Sequence, residues 1–259
     1  MKNTLLLISI ILLISSCQNQ TKSAKEVSAK ASDKVEKIVT KATTIKAPEV
    51  PSSTTINLEG IDISQYQTGI DWNKVKADNI NFVFVKATGG QTYIDPSFKQ
   101  HWTNVKNAGL MRGAYHFYYT KDDPTTQANF FISNVLSVST ANDMPPVLDI
   151  ESGGVNTDIS VAQLQQDIQT FLTVVENAFG RKPILYTSHS FAQQYFNNPI
   201  FDKYYLWLAE YADAPIVPTG WANSGWTFWQ DSPSASVDGV TGNVDHDYFN
   251  GSLSELKGL

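Results

Sequence analysis

Five carboxylates stand at or near the ends of three predicted strands, and they are the side chains of this chain best suited to acid–base chemistry. They are Asp62, Asp149, Glu151, Asp245 and Asp247. Asp149 and Glu151 are two residues apart, and because side chains alternate across a strand, both point to the same side. One such pair could equally cap the following loop, but three acidic strand ends in one predicted ring favour a catalytic interpretation.

The spacing of Asp149 and Glu151 has a chemical consequence. When two carboxyl groups lie so close together in a pocket lined by aromatic side chains, they cannot both ionise freely. The pKa of one should therefore rise, which leaves a proton donor near neutral pH. A proton for the leaving oxygen and negative charge beside an oxocarbenium-like centre are what cleavage of a glycosidic bond requires. The pair therefore predicts acid–base cleavage of a saccharide.

Motifs for other chemistries are missing from the sequence. The four histidines form neither a His-Glu-x-x-His motif nor a cluster with cysteine, so we expect no metal site and no cofactor. The Gly-x-Ser-x-Gly motif and the glycine-rich dinucleotide fingerprint are also absent. His116 stands at the end of the third predicted strand, where it either lines the pocket or is a buried structural histidine.

The segments that must position these carboxylates alternate between strand and helix. Strands are predicted at residues 56–64, 82–87, 111–118, 146–150, 184–187, 205–210, 227–230 and 244–247. Helices are predicted at residues 72–78, 96–108, 124–138, 160–179 and 190–196. Several strands are apolar throughout, as expected for a parallel sheet buried on both faces.

After Tyr211 the pattern changes, because the loops there are rich in proline and glycine and carry no helical stripe. Five strand–helix units followed by three strands joined by loops most simply close into a modified (β/α) barrel. We therefore predict an α/β fold with a single catalytic domain. The alternative is an open doubly wound sheet.

Charge is distributed unevenly along the chain. Residues 1–56 hold 8 Lys and 4 acidic residues, whereas residues 57–259 hold 11 Lys or Arg and 21 Asp or Glu. Affinity for nucleic acid depends on basic groups at phosphates, so the acidic main segment argues against a nucleic-acid partner. All aromatic residues lie after residue 56, so only residues 57–259 can bury a sizeable core.

The amino terminus has the features of an export signal. Lys2 precedes an apolar run too short to span a bilayer, and the run ends in Ile-Ser-Ser-Cys at residues 14–17. That tetrapeptide resembles the lipobox of bacterial lipoproteins, and Cys17 is the only cysteine. We predict a signal peptide over residues 1–17, acylation at Cys17, a flexible linker over 18–56 and a catalytic domain over 57–259. The protein would then be a membrane-anchored lipoprotein of the bacterial cell envelope.

Short motifs follow one another from about residue 59 to residue 249. They include Gly-Ile-Asp-Ile-Ser (60–64), Ile-Asp-Trp (70–72), Phe-Val-Phe-Val-Lys-Ala-Thr (82–88), Gly-Ala-Tyr-His-Phe (113–117), Leu-Asp-Ile-Glu (148–151), Leu-Trp-Leu-Ala (206–209) and Phe-Trp-Gln (228–230). In this order and spacing they resemble glycoside hydrolase family 25, the Chalaropsis-type lysozymes. The resemblance implies a (β/α)₅β₃ barrel that cleaves, with retention, the β-1,4 bond between N-acetylmuramic acid and N-acetylglucosamine in peptidoglycan.

The resemblance also implies roles for individual residues. Glu151 would be the general acid/base, and Asp149 would orient or stabilise the 2-acetamido group of the substrate or act as a nucleophile. Asp62 and Asp245 would complete an acidic floor. The implied substrate contacts are Tyr66, Tyr115, His116, Trp207 and Trp229. We expect a monomer that acts on peptidoglycan strands.

Three positions depart from the pattern of the family. Gly89 stands where an acid is common, Asp231 where an aromatic residue is common and Asp247 where asparagine is common. The missing acid leaves open a second hypothesis, a non-catalytic module that binds cell-wall glycan on the same barrel. A third hypothesis is hydrolysis of another N-acetylated glycan such as chitin.

Overall fold

The apolar strand segments of the main part of the chain form one sheet that closes into a barrel. The computed structural model describes residues 57–155 and 158–259. Its strands are β1 (Leu58–Ile63), β2 (Ile80–Gly89), β3 (Tyr93–Ile94), β4 (Met111–Phe117), β5 (Val147–Asp149), β6 (Ile184–Ser188), β7 (Tyr205–Ala209), β8 (Phe228–Ala235) and β9 (Val244–Phe249). Because β1 pairs with both β2 and β9, every strand but β3 belongs to the closed ring, and β3 pairs with β2 alone.

Strand direction divides the barrel into two parts. Strands β1, β2 and β4–β8 run parallel to one another, whereas β9 is antiparallel to both β8 and β1. The antiparallel direction of β9 differs from the sequence analysis, which placed Asp245 at the carboxyl end of the last strand. Asp245 is instead the second residue of β9, and it reaches the same rim as Asp62, its register partner, because β9 runs the opposite way.

Helices cover the parallel part of the barrel. They are α1 (Trp72–Ala77), α2 (Phe98–Asn107), α3 (Pro124–Val135), α4 (Val161–Phe179), α5 (His189–Tyr195) and α6 (Leu253–Gly258). Local sequence fixes their ends. The side chains of Asp71, Asp123 and Ser160 accept backbone N–H groups in the first turns of α1, α3 and α4, and Gly180 ends α4 in the left-handed conformation at φ 64°.

The helix pattern confirms the prediction of a modified (β/α)₅β₃ barrel. Helices α1–α5 follow β1, the β2–β3 pair, β4, β5 and β6. In the described loops that connect β7, β8 and β9, the only helical element is a 3₁₀ turn at Thr219–Trp221. The short elements β3 and α6 were not predicted. No helix in the described ranges is both long and apolar enough to cross a bilayer.

Side-chain alternation separates two hydrophobic cores. The larger core lies between the sheet and the helices, and the smaller one fills the inside of the barrel. Phe84 stacks on Trp207 inside the barrel, with ring centroids 4.1 Å apart, and Phe228 packs edge-on against Phe84. This aromatic layer closes the barrel from within, so polar inward-facing side chains at the rim stand above a packed floor.

The predictions for the amino-terminal segment lie outside the described residues. They concern the signal peptide, Cys17 and the linker up to residue 56. The described residues, 57–155 and 158–259, belong to one compact unit.

Candidate active site

One open pocket of about 270 Å³ lies at the rim where the parallel strands end. Asp62, Asp149, Glu151 and Asp245 all line it. Asp62 lies in β1, Asp149 at the end of β5, Glu151 two residues after that end, and Asp245 at the start of β9. Only closure of the barrel brings these four residues together. The structure therefore places the four predicted carboxylates in one site.

Asp149 and Glu151 share the pocket because β5 alternates and continues in extended conformation through Glu151, whose φ is −146°. Asp149 is 7% exposed, and its Oδ1 has no hydrogen-bond partner among the described residues. Burial, and then the charge of Glu151, raise the pKa of Asp149 well above its usual range. Burial also raises the pKa of Glu151, against the opposing charge of Lys86. In both carboxyl groups burial therefore favours the protonated form.

Asp62 is held by an amide whose orientation is fixed. Gln230 Nε2 donates to Asp62 Oδ2 at 2.6 Å, while Gln230 Oε1 accepts the hydroxyls of Tyr186 at 2.9 Å and Tyr211 at 3.0 Å. Two hydroxyl donors on Oε1 leave the amide N–H groups to face the carboxylate. Burial and the charge of Asp245 raise the pKa of Asp62, and the bond from Gln230 opposes that rise.

Asp245 and Asp247 lie at different depths of the barrel. Burial, and then the charge of Glu151, raise the pKa of Asp245 to about 6 at the rim. Asp247 lies deeper, fully buried, where its Oδ1 accepts the indole N–H of Trp207 at 2.7 Å. Burial raises the pKa of Asp247 well above its usual range. Asp247 therefore supports the pocket floor through Trp207 and does not line the pocket.

Asp245→Asn is expected to stabilise the protein at neutral and alkaline pH but not near pH 4. The folded-state pKa of about 6 lies above the value of about 3.9 expected in the unfolded chain, so the carboxyl favours folding below the lower value and loses that contribution as pH rises through about 6. Urea unfolding should show the variant more stable than wild type by about 1–2 kcal/mol at pH 8, a value reduced for the partial exposure of the side chain, and equal near pH 4. Asp238→Asn, at an exposed position, is the control. Equal stability of variant and wild type at pH 8 would contradict the expectation.

Three of the five predicted substrate contacts line the pocket. They are Tyr66, Tyr115 and Trp207. Trp207 forms part of the floor, where Tyr115 and Tyr186 pack edge-on against it. Tyr66 stands at the rim with 81% of its surface exposed. The exposed ring of Tyr66 therefore gives the pocket an apolar wall beside its carboxylates.

The structure places His116 and Trp229 outside the pocket. In β4 and β8 the inward-facing residues are Tyr115 and Gln230, so their neighbours in sequence, His116 and Trp229, face outward. His116 is fully buried, stacks on Phe171 and bonds to Thr88 through Nδ1 at 2.8 Å, and burial lowers its pKa to about 3. The expectation that His116 and Trp229 contact substrate is therefore corrected, and His116 is a structural histidine.

Six pocket residues were not predicted from sequence. They are Ser64, Lys86, Phe117, Tyr186, Tyr211 and Gln230. Lys86 and Gln230 lie inside motifs that the sequence analysis used, and Lys86 is the cationic group of this pocket, with Nζ 4.5 Å from the Phe117 ring centroid. The strand phase could have identified both, because Lys86 follows Phe84, and Gln230 follows Phe228, by two residues. Tyr211 lies in a loop, where no such signal exists.

Within residues 57–155 and 158–259, no group of three or more His, Cys, Asp or Glu side chains is placed to hold a metal ion. The pocket itself presents carboxyl groups, one lysine and aromatic hydroxyls.

Carboxyl groups with raised pKa values above an aromatic floor, at the open end of a (β/α)₅β₃ barrel, are the groups that cleavage of a glycosidic bond requires. The sequence model of Glycosyl hydrolases family 25 matches residues 61–240. The chain belongs to this family, which confirms the predicted family and the predicted enzyme class.

Relatives and solved structures agree with this assignment. Lysozyme M1 of Streptomyces globisporus is 38% identical over 213 residues, covering 79% of this chain and 72% of its own. The N,O-diacetylmuramidase of Chalaropsis sp is 31% identical over 214 residues, covering 78% and 98%. The crystal structure of the bacterial lysozyme from Streptomyces coelicolor superposes with a TM-score of 0.73 at 35% identity, covering 79% of this chain and 97% of that one.

Proposed function

We propose that this protein is a muramidase that hydrolyses the β-1,4 bond between N-acetylmuramic acid and N-acetylglucosamine in peptidoglycan, with retention of configuration. The observation that carries the proposal is the convergence of Asp62, Asp149, Glu151 and Asp245 on one pocket. Relatives named lysozyme and N,O-diacetylmuramidase support the substrate. Because these four carboxyl groups belong to one chain, the proposed chemistry does not require a second copy, and we propose a monomer.

Glu151 is the proposed general acid/base. Burial raises its pKa, which favours the protonated form, and the proton passes to the glycosidic oxygen as the bond to the anomeric carbon breaks. The resulting carboxylate then takes a proton from the water that attacks the anomeric carbon, so Glu151 returns to its starting state. The carboxyl groups of Asp62 and Asp245, when ionised, supply negative charge beside the oxocarbenium-like centre.

Asp149 is proposed to act in the first chemical step, in which the leaving sugar is displaced from the anomeric carbon. Its unpaired, buried Oδ1 is free either to accept the N–H of a 2-acetamido group or to attack the anomeric carbon. In the first case the acetamido oxygen is the nucleophile, and in the second the carboxylate forms a glycosyl–enzyme bond. Both routes invert the anomeric centre twice and so retain its configuration.

The test is product analysis on defined peptidoglycan. We expect purified protein to release new reducing ends, with N-acetylmuramic acid at the reducing end of each product by mass spectrometry. Binding without products would instead support a glycan-binding module, and cleavage of N-acetylglucosamine oligomers in preference to peptidoglycan would support action on chitin. Either result would contradict the proposal.

We further propose that Cys17 carries the lipid anchor of an envelope lipoprotein. The support is the lipobox-like Ile-Ser-Ser-Cys sequence after a short apolar run, with Cys17 as the only cysteine. Each buried acyl CH₂ contributes about 0.8 kcal/mol, so several chains hold a protein on a membrane. Cys17→Ala should move the full-length protein from the membrane fraction to the soluble fraction, whereas Ser16→Ala should leave it in place. A membrane fraction unchanged by Cys17→Ala would refute the anchor.

A further inference from the structure

A cavity of about 560 Å³ lies at the end of the barrel opposite the acid pocket. Its lining includes Ile80 and Met111, the first residues of β2 and β4, and Leu253 of α6. Helix α6 follows β9 and places Leu256 in the core inside the barrel, so this end of the barrel is closed. The cavity at this closed end is therefore remote from the carboxyl groups of the acid pocket and takes no part in the proposed chemistry.

Three lysines give the cavity at the closed end a positive charge. Lys76, Lys106 and Lys257 line it, and all three are exposed. Within the described part of the chain, the cavity lining holds one acid, Asp143, and the guanidinium of Arg112 neutralises it through bonds of 2.6 and 3.1 Å. A domain in which acids outnumber bases therefore carries a cationic site that anions can reach.

Further basic residues lie around the closed end. Arg181, Lys182 and Lys203 are within three residues of the starts of β6 and β7. Asp78 and Glu255 stand two residues from cavity lysines in sequence, but they do not line the cavity, and both accept backbone N–H groups, at 2.8 and 2.7 Å. Basic side chains at this end thus come from the segments before β2, β4, β6 and β7 and from α6.

Exposed apolar side chains lie among these basic groups. Leu253 of the cavity lining is 40% exposed, and Leu136 and Val138, just after α3, are 41% and 39% exposed. Leu136 lines an adjoining cavity of about 320 Å³, which shares Thr140 with the basic one. Cations beside exposed apolar groups are typical of a protein surface in the headgroup region of a bilayer, where the cations meet phosphates and the apolar groups meet acyl chains.

The polypeptide enters the barrel at the closed end. Strand β1 begins at Leu58, and Glu59 pairs in register with Ile80 of the cavity lining. The predicted linker, residues 18–56, therefore connects Cys17 to this end. A flexible linker of that length would let either end of the barrel meet the membrane, so the charge of each end decides which of them does.

We infer that the closed end rests on the surface of an anionic lipid bilayer, with lipid phosphate groups bound by Lys76, Lys106 and Lys257. The inference rests on the proposed anchor at Cys17, which keeps the domain beside the bilayer. The acid pocket, at the opposite rim, then faces away from the lipid and toward the glycan strands. Three lysines form a weak contact that needs the high local concentration supplied by the anchor, so Cys17→Ala protein still leaves the membrane fraction.

Lysine acetylation of the anchored protein tests this orientation. The full acylated protein is added to preformed vesicles, either of phosphatidylcholine alone or of equal parts phosphatidylcholine and phosphatidylglycerol, and treated briefly with acetic anhydride before digestion and mass spectrometry. On anionic vesicles, acetylation of the three cavity lysines should fall about fivefold relative to neutral vesicles, because bound phosphates shield the amines. Lys99 and Lys121, exposed lysines at the end of the acid pocket, should change by less than about twofold.

A charge-reversal variant separates the surface from the anchor. In Lys106→Glu/Lys257→Glu protein, Lys76 should be acetylated equally on the two kinds of vesicle. Lys99→Glu/Lys121→Glu, the matched control, should keep Lys76 protected on anionic vesicles. Lys76 itself is kept because its Nζ donates to a backbone carbonyl oxygen just after α2 at 2.7 Å. Release of reducing ends from soluble peptidoglycan fragments should be the same in both variants as in wild type, which shows that both fold.

The outcomes distinguish failure of the surface from failure of the anchor. Equal acetylation of the three cavity lysines on both kinds of vesicle, with protein bound to each, would overturn the inference and leave the anchor standing. Protection by soluble poly(glycerol phosphate), with none on anionic vesicles, would assign the cavity to a polymer of the wall and overturn it too. Protein that binds anionic but not neutral vesicles, with the lysines protected relative to protein in buffer, would reject the anchor and uphold the surface. Protein that binds neither would reject both.

Discussion

Glu151→Gln is expected to lower kcat on peptidoglycan about 10³-fold, within the range that positioned general acids contribute. Glutamine has nearly the shape of glutamate but cannot deliver a proton to the glycosidic oxygen. Burial raises the pKa of the Glu151 carboxyl group and so favours the protonated form that the substitution removes. Steady-state release of reducing ends measures the effect, and the Kd for glycan should change little.

Glu210→Gln is the matched control for this experiment. Glu210 lies just after β7 and is not among the pocket residues; its Oε2 accepts the backbone N–H of Ile216 at 2.8 Å. The amide oxygen of glutamine can keep that bond, so kcat should stay within about twofold. A Glu151→Gln protein that retains wild-type kcat would remove Glu151 from the acid/base role. Another pocket carboxyl group, with Asp245 the first to examine, would then have to supply the proton.

Strand phase explains both the success and the errors of the sequence analysis at the site. Asp149 and Glu151 were predicted correctly to share a face because they are two residues apart. The same rule shows that Tyr115 and His116, as neighbours in a strand, cannot both line one pocket, yet the resemblance to the family suggested both. Alternation shows which residues of a strand share a face, but it does not show which face points into the barrel. The sequence alone can decide that only where the inward or outward direction of one residue in the strand is already known.

Long-range pairing was not accessible from the sequence. The direction of β9 depends on its pairing with β8 and β1, and the sequence of a short strand carries no signal of direction. The bond from Gln230 to Asp62 joins residues that are 168 positions apart. Such a bond forms only in the register of the closed barrel. The sequence therefore allows the motif that contains Gln230 to be recognised, but it does not show that Gln230 bonds to Asp62.

Asp149→Asn is expected to lower kcat on peptidoglycan about 10²–10³-fold, the range found when a transition-state stabilising group is removed. Asparagine keeps the shape of the side chain but carries no negative charge and cannot form a glycosyl–enzyme ester. The pKa of Asp149 is raised by its burial, so the neutral amide should also leave the protein at least as stable as wild type at pH 7. A loss of activity with an unchanged or higher melting temperature would therefore separate catalysis from folding. Asp213→Asn, at an exposed position, is the control.

The two proposed roles of Asp149 differ in what can replace its carboxylate. If Asp149 attacks the anomeric carbon, azide added to an Asp149→Gly variant should occupy the vacated space and yield a glycosyl azide of inverted configuration. If Asp149 orients the 2-acetamido group, azide should not restore turnover, and a thiazoline analogue of the cyclised acetamido intermediate should inhibit wild type strongly. Loss of the N-acetyl group from the substrate should then abolish cleavage as completely as Asp149→Asn does. Full activity of Asp149→Asn would exclude both roles, because each needs the negative charge of this buried oxygen pair.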